Sequence, residues 1–219
     1  IYATLCNMKQ GENPARGVAQ DKRRYQMTAR RDAMNETRER ILEATYRLWL
    51  ERHYDELTLA AVAEAAGVTR QTVYRQFGTK EELLVAVGQW RAPQEDRARE
   101  VEPGDVTAAV QRVIERNEEM GDANVRALEL EGRIDIIGEM LARGRRAHRA
   151  WIERVFGPRL DRVADSEREQ TIMALYAATD VTVWKVLRRD FGFSRSDTEA
   201  IVSRLVRGVL SDSARKERI

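Results

Sequence analysis

The sequence predicts an all-α protein, on three observations. Only four prolines interrupt 219 residues, and β-branched runs are few, so intrinsic preference favours helix throughout. Apolar positions recur at helical spacing; in the first clear helix Ile41, Thr45, Leu48 and Trp49 stand at i, i+4, i+7 and i+8. Thr, Ser and Gly punctuate these stretches where caps belong.

Taken in order, residues 1–32 read as a basic, disordered N-terminal tail. Gly11, Pro14 and Gly17 break helical pattern there, and Arg16, Lys22, Arg23, Arg24, Arg30 and Arg31 supply charge. An arm in a DNA minor groove is the sharper reading of those residues. Met27 and Met34 are candidate starts. Helix one is expected over 36–53.

The stretch Thr58–Leu84, TLAAVAEAAGVTRQTVYRQFGTKEELL, organises the chain. Leu59, Val62, Ala63 and Ala66 make one apolar stripe. Gly67 suits a C-cap that needs positive φ. Thr58 and Thr69 are N-caps of two short helices, and Val73 and Phe77 face inward from the second. Small Ala63 and Gly67 let the helices cross closely, the layout of a helix-turn-helix. The outward face of the second helix carries Arg70, Gln71, Thr72, Tyr74, Arg75 and Gln76, which can donate to base edges or phosphates. Gly78 ends that helix. Thr79 and Glu82 then form a capping box for helix four, whose core stripe is Leu83, Leu84, Val87 and Trp90. Lys80 beside that helix N-terminus makes a phosphate site.

The run AxxAGVTRQTVYRQFGTKEELL resembles the DNA-binding signature of the tetracycline-repressor-like (TetR) family of transcriptional regulators. The likeness covers roughly residues 36–89 and rests on AGV at the turn, TVY in the second helix and FGTKEELL opening the next. It implies a dimeric, all-helical repressor, with an N-terminal three-helix DNA-binding domain over 33–92 and a C-terminal helical domain for effector binding and dimerisation over 93–219. By the same resemblance Arg70, Gln71 and Thr72 contact bases and Thr58 and Lys80 contact phosphate. Tyr74 is expected on phosphate, Arg75 on either, Gln76 on a base, and Thr79 stands at the same helix start. The partners implied are a palindromic duplex operator, a small-molecule effector and a second copy of the chain. No cofactor or metal is expected.

Beyond Pro93 and Pro103-Gly104, read as breaks, helices are expected over 105–119, 124–131 and 134–143, the last restarting toward Phe156. Gly157-Pro158 is a further break. A long helix is expected over 166–189, capped by Ser166, and a last one from Ser194 or Ser196 to about residue 210. Trp90, Met120, Ile137, Met140, Trp151, Phe156, Tyr176 and Trp184 are candidate pocket residues, as large apolar groups of the C-terminal half. The basic run Arg143, Arg145, Arg146, His148 and Arg149 reads as a solvated helix face, with the binding of an acidic effector as the sharper alternative. Val183, Leu187, Ile201, Leu205 and Val209 are candidates for the dimer seam that the resemblance implies.

Composition bounds the alternatives. A net charge of +2 does not by itself argue for nucleic acid, although residues 1–92 hold 15 Lys/Arg against 12 Asp/Glu. One cysteine, Cys6, allows no disulfide within the chain and fits a cytoplasmic location. No apolar run approaches the roughly 18 residues of a membrane span. The rival classes are a helical enzyme and a protein-interaction module on the same fold. Two histidines, no metal-spaced cluster and no Gly-rich phosphate loop weigh against the enzyme.

Overall fold

The computed structural model describes the backbone of residues 14–216 and the side chains of residues 27–211. Every regular element within them is helical: α1 (Pro14–Glu51), a 3₁₀ turn (Tyr54–Glu56), α2 (Leu59–Ala66), α3 (Arg70–Phe77), α4 (Lys80–Ala98), α5 (Val106–Leu128), α6 (Asp135–Val155), α7 (Gly157–Leu160), α8 (Asp165–Thr179), α9 (Val181–Lys185), a π-helical turn (Val186–Asp190) and α10 (Arg195–Lys216).

Two apolar clusters hold these elements. In the first, Ile41, Leu42 and Leu48 of α1 meet Val62, Ala63 and Ala66 of α2, Val73 and Phe77 of α3, and Leu83, Leu84 and Val87 of α4. The same cluster takes Ala127 from α5 and Ile137 from α6, so apolar contact crosses the division expected at residues 92–93. Arg126 of α5 adds a polar tie, donating to the carbonyls of Trp49 and Leu50 at 3.2 and 2.7 Å. These are end carbonyls of α1 that have no partner within the helix. The second cluster joins Val110, Val113 and Ile114 of α5 to Trp151, Ile152 and Val155 of α6, Ile172 and Leu175 of α8, Trp184 of α9, and Val202 and Val206 of α10.

Six expectations about elements are corrected. α1 is helical from Pro14, the first described residue, well before the start expected at Glu36. Proline costs no intrahelical bond at a helix start, and the Ala, Arg, Gln and Met that follow favour helix with no apolar face to bury. Residues 27–36 are accordingly all exposed. Residues 1–13, with Cys6, lie outside the described residues, as do the side chains of Arg16, Lys22, Arg23 and Arg24. Pro93 lies inside α4 and does not break it. The carbonyl it leaves unpaired belongs to Gln89, which is exposed and open to water.

α5 runs unbroken through Gly121, with no restart at Asn124. The glycine is required by packing, because the Trp184 ring lies against it. α6 likewise continues from Asp135 to Val155 with no restart after Arg143. The helix expected over 166–189 ends at Thr179, because Asp180 turns extended and caps α9, accepting from the Thr182 amide at 2.9 Å. α8 also starts at Asp165, behind Ala164, so Ser166 is not its cap. Ser194 does cap α10, its hydroxyl accepting from the Asp197 amide at 3.1 Å.

The π turn is fastened to α5 by charge. Arg188 donates to both oxygens of Glu118, at 2.5 and 2.9 Å, and Trp184 Nε1 donates to the same carboxylate at 2.9 Å. Arg189 pairs with Asp122, one turn further along. The Arg188 bonds, then the Trp184 bond, outweigh burial and hold the Glu118 carboxyl down at about 2, against an ordinary 4.5. A lowered carboxyl stabilises the fold above the ordinary value and loses that contribution as pH falls toward the lowered one. Glu118→Gln should therefore cost about 1–3 kcal/mol at pH 7, with the deficit shrinking below about pH 4.5. Urea denaturation at pH 7 and pH 3 measures it; an equal deficit at both would assign the loss to packing.

Candidate functional site

The sequence places three capped helix starts and two glycine turns within 27 residues, and each forms locally. Thr58 accepts from the Ala61 amide at 3.1 Å, and Thr69 accepts from the Thr72 amide at 3.2 Å. Gly67 closes α2 at φ 65°, ψ 39°. Thr79 accepts from Glu82, and Glu82 accepts in return from the Thr79 amide at 2.8 Å, which satisfies two donors at the start of α4.

Gly78 sits at φ 77°, ψ −121°, a backbone state that residues with a Cβ rarely adopt. A Cβ there would also fall on the carboxylate of Glu82. Gly78→Ala should thus strain the turn and break the capping box together, at a cost of about 1–3 kcal/mol. Chemical denaturation checks this; a loss below about 0.5 kcal/mol, the range of an ordinary surface change, would mean the turn relaxes freely.

Val73 and Phe77 are buried and fix the rotation of α3. That rotation leaves Arg70, Gln71, Tyr74 and Arg75 exposed, with Thr72 and Gln76 half-buried at the edge. Tyr74 is 63% exposed, a large aromatic ring that nothing in the fold covers. Thr58 and Thr79 are exposed on neighbouring helix starts. Lys80 is half-buried: its Nζ donates to the Tyr54 carbonyl at 3.1 Å and lies 3.5 Å from the centre of the Tyr54 ring. Tyr54 in turn donates to Glu81 at 2.7 Å. The ammonium is held in one place, with donors to spare.

A cavity of about 610 Å³ lies behind this head, between α1, α4, α5, α6 and α8, within the size range of small-molecule sites. Met120, Ile137, Met140, Trp151 and Tyr176 of the candidate residues line it. The other three lie elsewhere. Trp90 packs on the first cluster, Phe156 is buried edge-on to Trp151, and Trp184 is buried against α5. They fill core because their helices turn them away from the cavity. A hollow of about 890 Å³ between the starts of α5 and α10 is lined mainly by charged side chains and no aromatic ring, and offers no comparable enclosure.

The polar wall of the cavity was not legible in the sequence. It is built from α4 and its C-terminal end, α5, α6 and α8. Arg116 is buried and pairs with Glu95 at 2.5 Å, and Arg91 pairs with Glu95 at 2.6 Å. Arg99, which caps α4, donates to His148 Nδ1 at 2.5 Å; His148 Nε2 therefore carries the proton and donates to the Thr179 hydroxyl at 2.9 Å, and Thr179 donates to the Leu175 carbonyl at 2.8 Å. Burial, then the Arg99 charge, pushes His148 down to about 3, so it stays neutral. Burial lowers Arg99 to about 10, where it keeps its charge. His148 is thus no part of a solvated face, whereas Arg149 is, paired with Glu153 and Glu169. Arg143 and Arg145 are exposed on the cavity rim.

On α9, the π turn and α10, Leu205 is 44% exposed, and Val183, Leu187, Ile201 and Val209 are half-buried. Phe191 (72%) and Phe193 (41%) add exposed rings beside the start of α10. Among the described residues no helix is long and apolar enough to cross a membrane, and no group of three His, Cys, Asp or Glu is placed to hold a metal ion.

The fold and this head define a helix-turn-helix protein, with α3 as the second helix of the pair. Residues 41–87 match the family model for bacterial regulatory proteins of the tetR family. Over 57 residues the chain is 42% identical to the HTH-type transcriptional regulator TtgR of Pseudomonas putida, covering 26% of this chain and 27% of that protein. Over 46 residues it is 44% identical to the HTH-type transcriptional regulator AlkX of Mycobacterium tuberculosis, covering 21% and 22%. The matched stretch is thus about a quarter of the length of these curated relatives. Two solved structures share the fold: a transcriptional regulator from Rhodococcus sp. Rha1 (TM-score 0.64, 17% identity, 81% of this chain and 97% of that one) and a TetR transcription regulator from Haloarcula marismortui (TM-score 0.63, 18% identity, 82% and 98%). The likeness to the tetR family thus lies in the N-terminal helix-turn-helix domain, over residues 41–87.

Proposed function

We propose that the protein is a sequence-specific, DNA-binding transcriptional regulator that works as a homodimer and leaves a palindromic operator when a small molecule fills the cavity behind the head. The observation that carries this is the exposed face of α3. Arg70, Gln71, Tyr74 and Arg75 stand out from a short helix whose rotation is locked by buried Val73 and Phe77, and none of the four has a structural task. Arg70 and Gln71 carry the side-chain types that take guanine and adenine bidentately. Thr58, Thr79 and Lys80 lie on flanking helix starts, where amide groups and a fixed ammonium suit phosphates. One short helix reads few base pairs, so two copies about 34–36 Å apart are needed to reach successive major grooves. The exposed Leu205 and the half-buried Val183, Leu187, Ile201 and Val209 supply an apolar seam for that pairing. α4 joins both parts of the reading, since its N-terminus flanks α3 and its C-terminal end lines the cavity. A ligand there releases DNA if it favours a spacing of heads that misfits the grooves.

The deciding experiment is selection of random duplexes by the purified protein. Enrichment of an inverted repeat, with affinity falling steeply as salt rises, is expected. Recovery of no common sequence would reject the regulator and favour an interaction module built on the same fold.

A further inference from the structure

We infer that the effector is an apolar molecule carrying one carboxylate, with the Arg99 guanidinium taking the carboxylate and the apolar body lying along Trp151, Tyr176, Met120 and Met140. This rests on the reading of the cavity as the effector site and names the chemistry of what enters it.

The argument begins from charge balance in the cavity wall. Six arginines line it, against three carboxylates, Glu95, Asp96 and Asp180, while Glu119 and Glu131 from outside the lining pair with Arg116 and Arg145. Two of those carboxylates are occupied: Glu95 is shared by Arg91 and Arg116, and Asp180 caps α9. Among the described residues Arg99 has no carboxylate within ion-pair distance. Its side-chain partners are the neutral ring of His148 and the face of Trp151, 5.0 Å from the guanidinium carbon. A guanidinium has five donors, and one is used on His148. Glu95 acts on Arg99 only from beyond ion-pair distance, and a partly desolvated cation with no carboxylate in contact is relieved by an anion within reach.

The surroundings specify which anion. Among the described residues Arg99 is the one half-buried guanidinium of this wall without a carboxylate partner, Arg143 and Arg154 being exposed to water, so it calls for one negative charge, and its planar fork matches a carboxylate with two parallel bonds. The Arg99 position is fixed from two sides. Its carbonyl accepts from Trp151 Nε1 at 2.7 Å, and the His148–Thr179 chain holds the guanidinium from behind. Trp151 lies parallel to His148 at 5.7 Å, and Tyr176 meets His148 edge-on at 4.9 Å, so the donor group sits at the margin of an aromatic wall. Met120 and Met140 complete the apolar lining with side chains that adapt to varied shapes. Arg143 and Arg154, exposed on the rim and also without a carboxylate partner among the described residues, draw an anion inward.

Calorimetric titration of the purified full chain tests this with two matched sets of probes: decanoate, decan-1-ol and decyltrimethylammonium; and 4-butylbenzoate with 4-butylbenzyl alcohol. Each carboxylate should bind about tenfold or more tightly than its alcohol, and the ammonium should bind most weakly. In Arg99→Met the carboxylate preference should fall to within about twofold while alcohol affinity is kept. Arg99→Lys, which keeps the charge and loses the fork, should retain part of it. Circular dichroism and Tm establish that both variants fold. Carboxylates binding no tighter than their alcohols, absence of binding included, overturn the inference, as does a preference that survives Arg99→Met. The titration needs no DNA, so its failure leaves the regulator reading to the duplex selection, and failure of that selection leaves the titration unaffected.

Discussion

Trp184→Ala will destabilise the protein by about 3–5 kcal/mol, the cost of removing a buried aromatic side chain that neighbouring groups cannot replace. Trp184 is 1% exposed, at the meeting of α5 and α9. Its ring rests on the backbone at Gly121, where an added Cβ would lie 2.7 Å from Cη2 and 2.8 Å from Cε3. The converse change, Gly121→Ala, should therefore cost about 1–3 kcal/mol through overpacking, even though alanine is the better helix former by about 1 kcal/mol. The two effects belong to one contact, so they should not add. With Trp184 already replaced by alanine, Gly121→Ala should become neutral or stabilising. Urea denaturation of the wild type, both single variants and the double variant gives the coupling. Strict additivity would mean that the ring and the glycine are independent, and that Gly121 serves another purpose.

Arg70→Ala and Gln71→Ala should each weaken binding to a selected duplex by about 1–3 kcal/mol, and should relax selectivity at the base pair each one reads. Both residues are exposed and neither supports the fold, so Tm should not move. Lys80→Ala should behave differently. The Lys80 ammonium is held by the carbonyl and ring of Tyr54, so its loss should weaken all duplexes alike and lower the salt slope by about one. Affinity for the selected duplex and for single-base variants, measured across salt, separates the patterns. Reversed behaviour, with Lys80 changing sequence preference and Arg70 only overall affinity, would assign the reading face to α4.

What could be read in the sequence follows the range of the interactions involved. Thr58, Gly67, Thr69, Gly78, Thr79 and Glu82 all act within four residues of themselves, and their caps and turns were evident from spacing. The stripe of Val73 and Phe77 likewise fixed which face of α3 points outward. The Asp180 break has a local signal too, since Asp-Val-Thr is a cap sequence, but the apolar period that continues through Val183 and Leu187 masks it. The continuity of α5 through Gly121 was not available, since the reason for the glycine is a tryptophan more than sixty positions away. The same holds for the cavity wall. Arg99 and His148 hydrogen-bond across 49 positions, and His148 looks in the sequence like one member of a basic surface run. Pro93 misled because its effect depends on which carbonyl it leaves unpaired, and Gln89 faces solvent.

The joining of the first apolar cluster to Ala127 and Ile137 bears on how the chain is made. A ribosome that has released residues up to 90 has delivered the whole helix-turn-helix head, yet part of the apolar surface of that head stays wet until the α5–α6 hairpin emerges. Closure of the second cluster comes later still: Arg207 of α10 bonds to Thr107 of α5 across 100 positions, and loop-closure entropy delays contacts of that span. Synthesis thus passes through an interval in which the head is formed but uncovered, and α10 then ends the exposure of Val110, Ile172 and their neighbours.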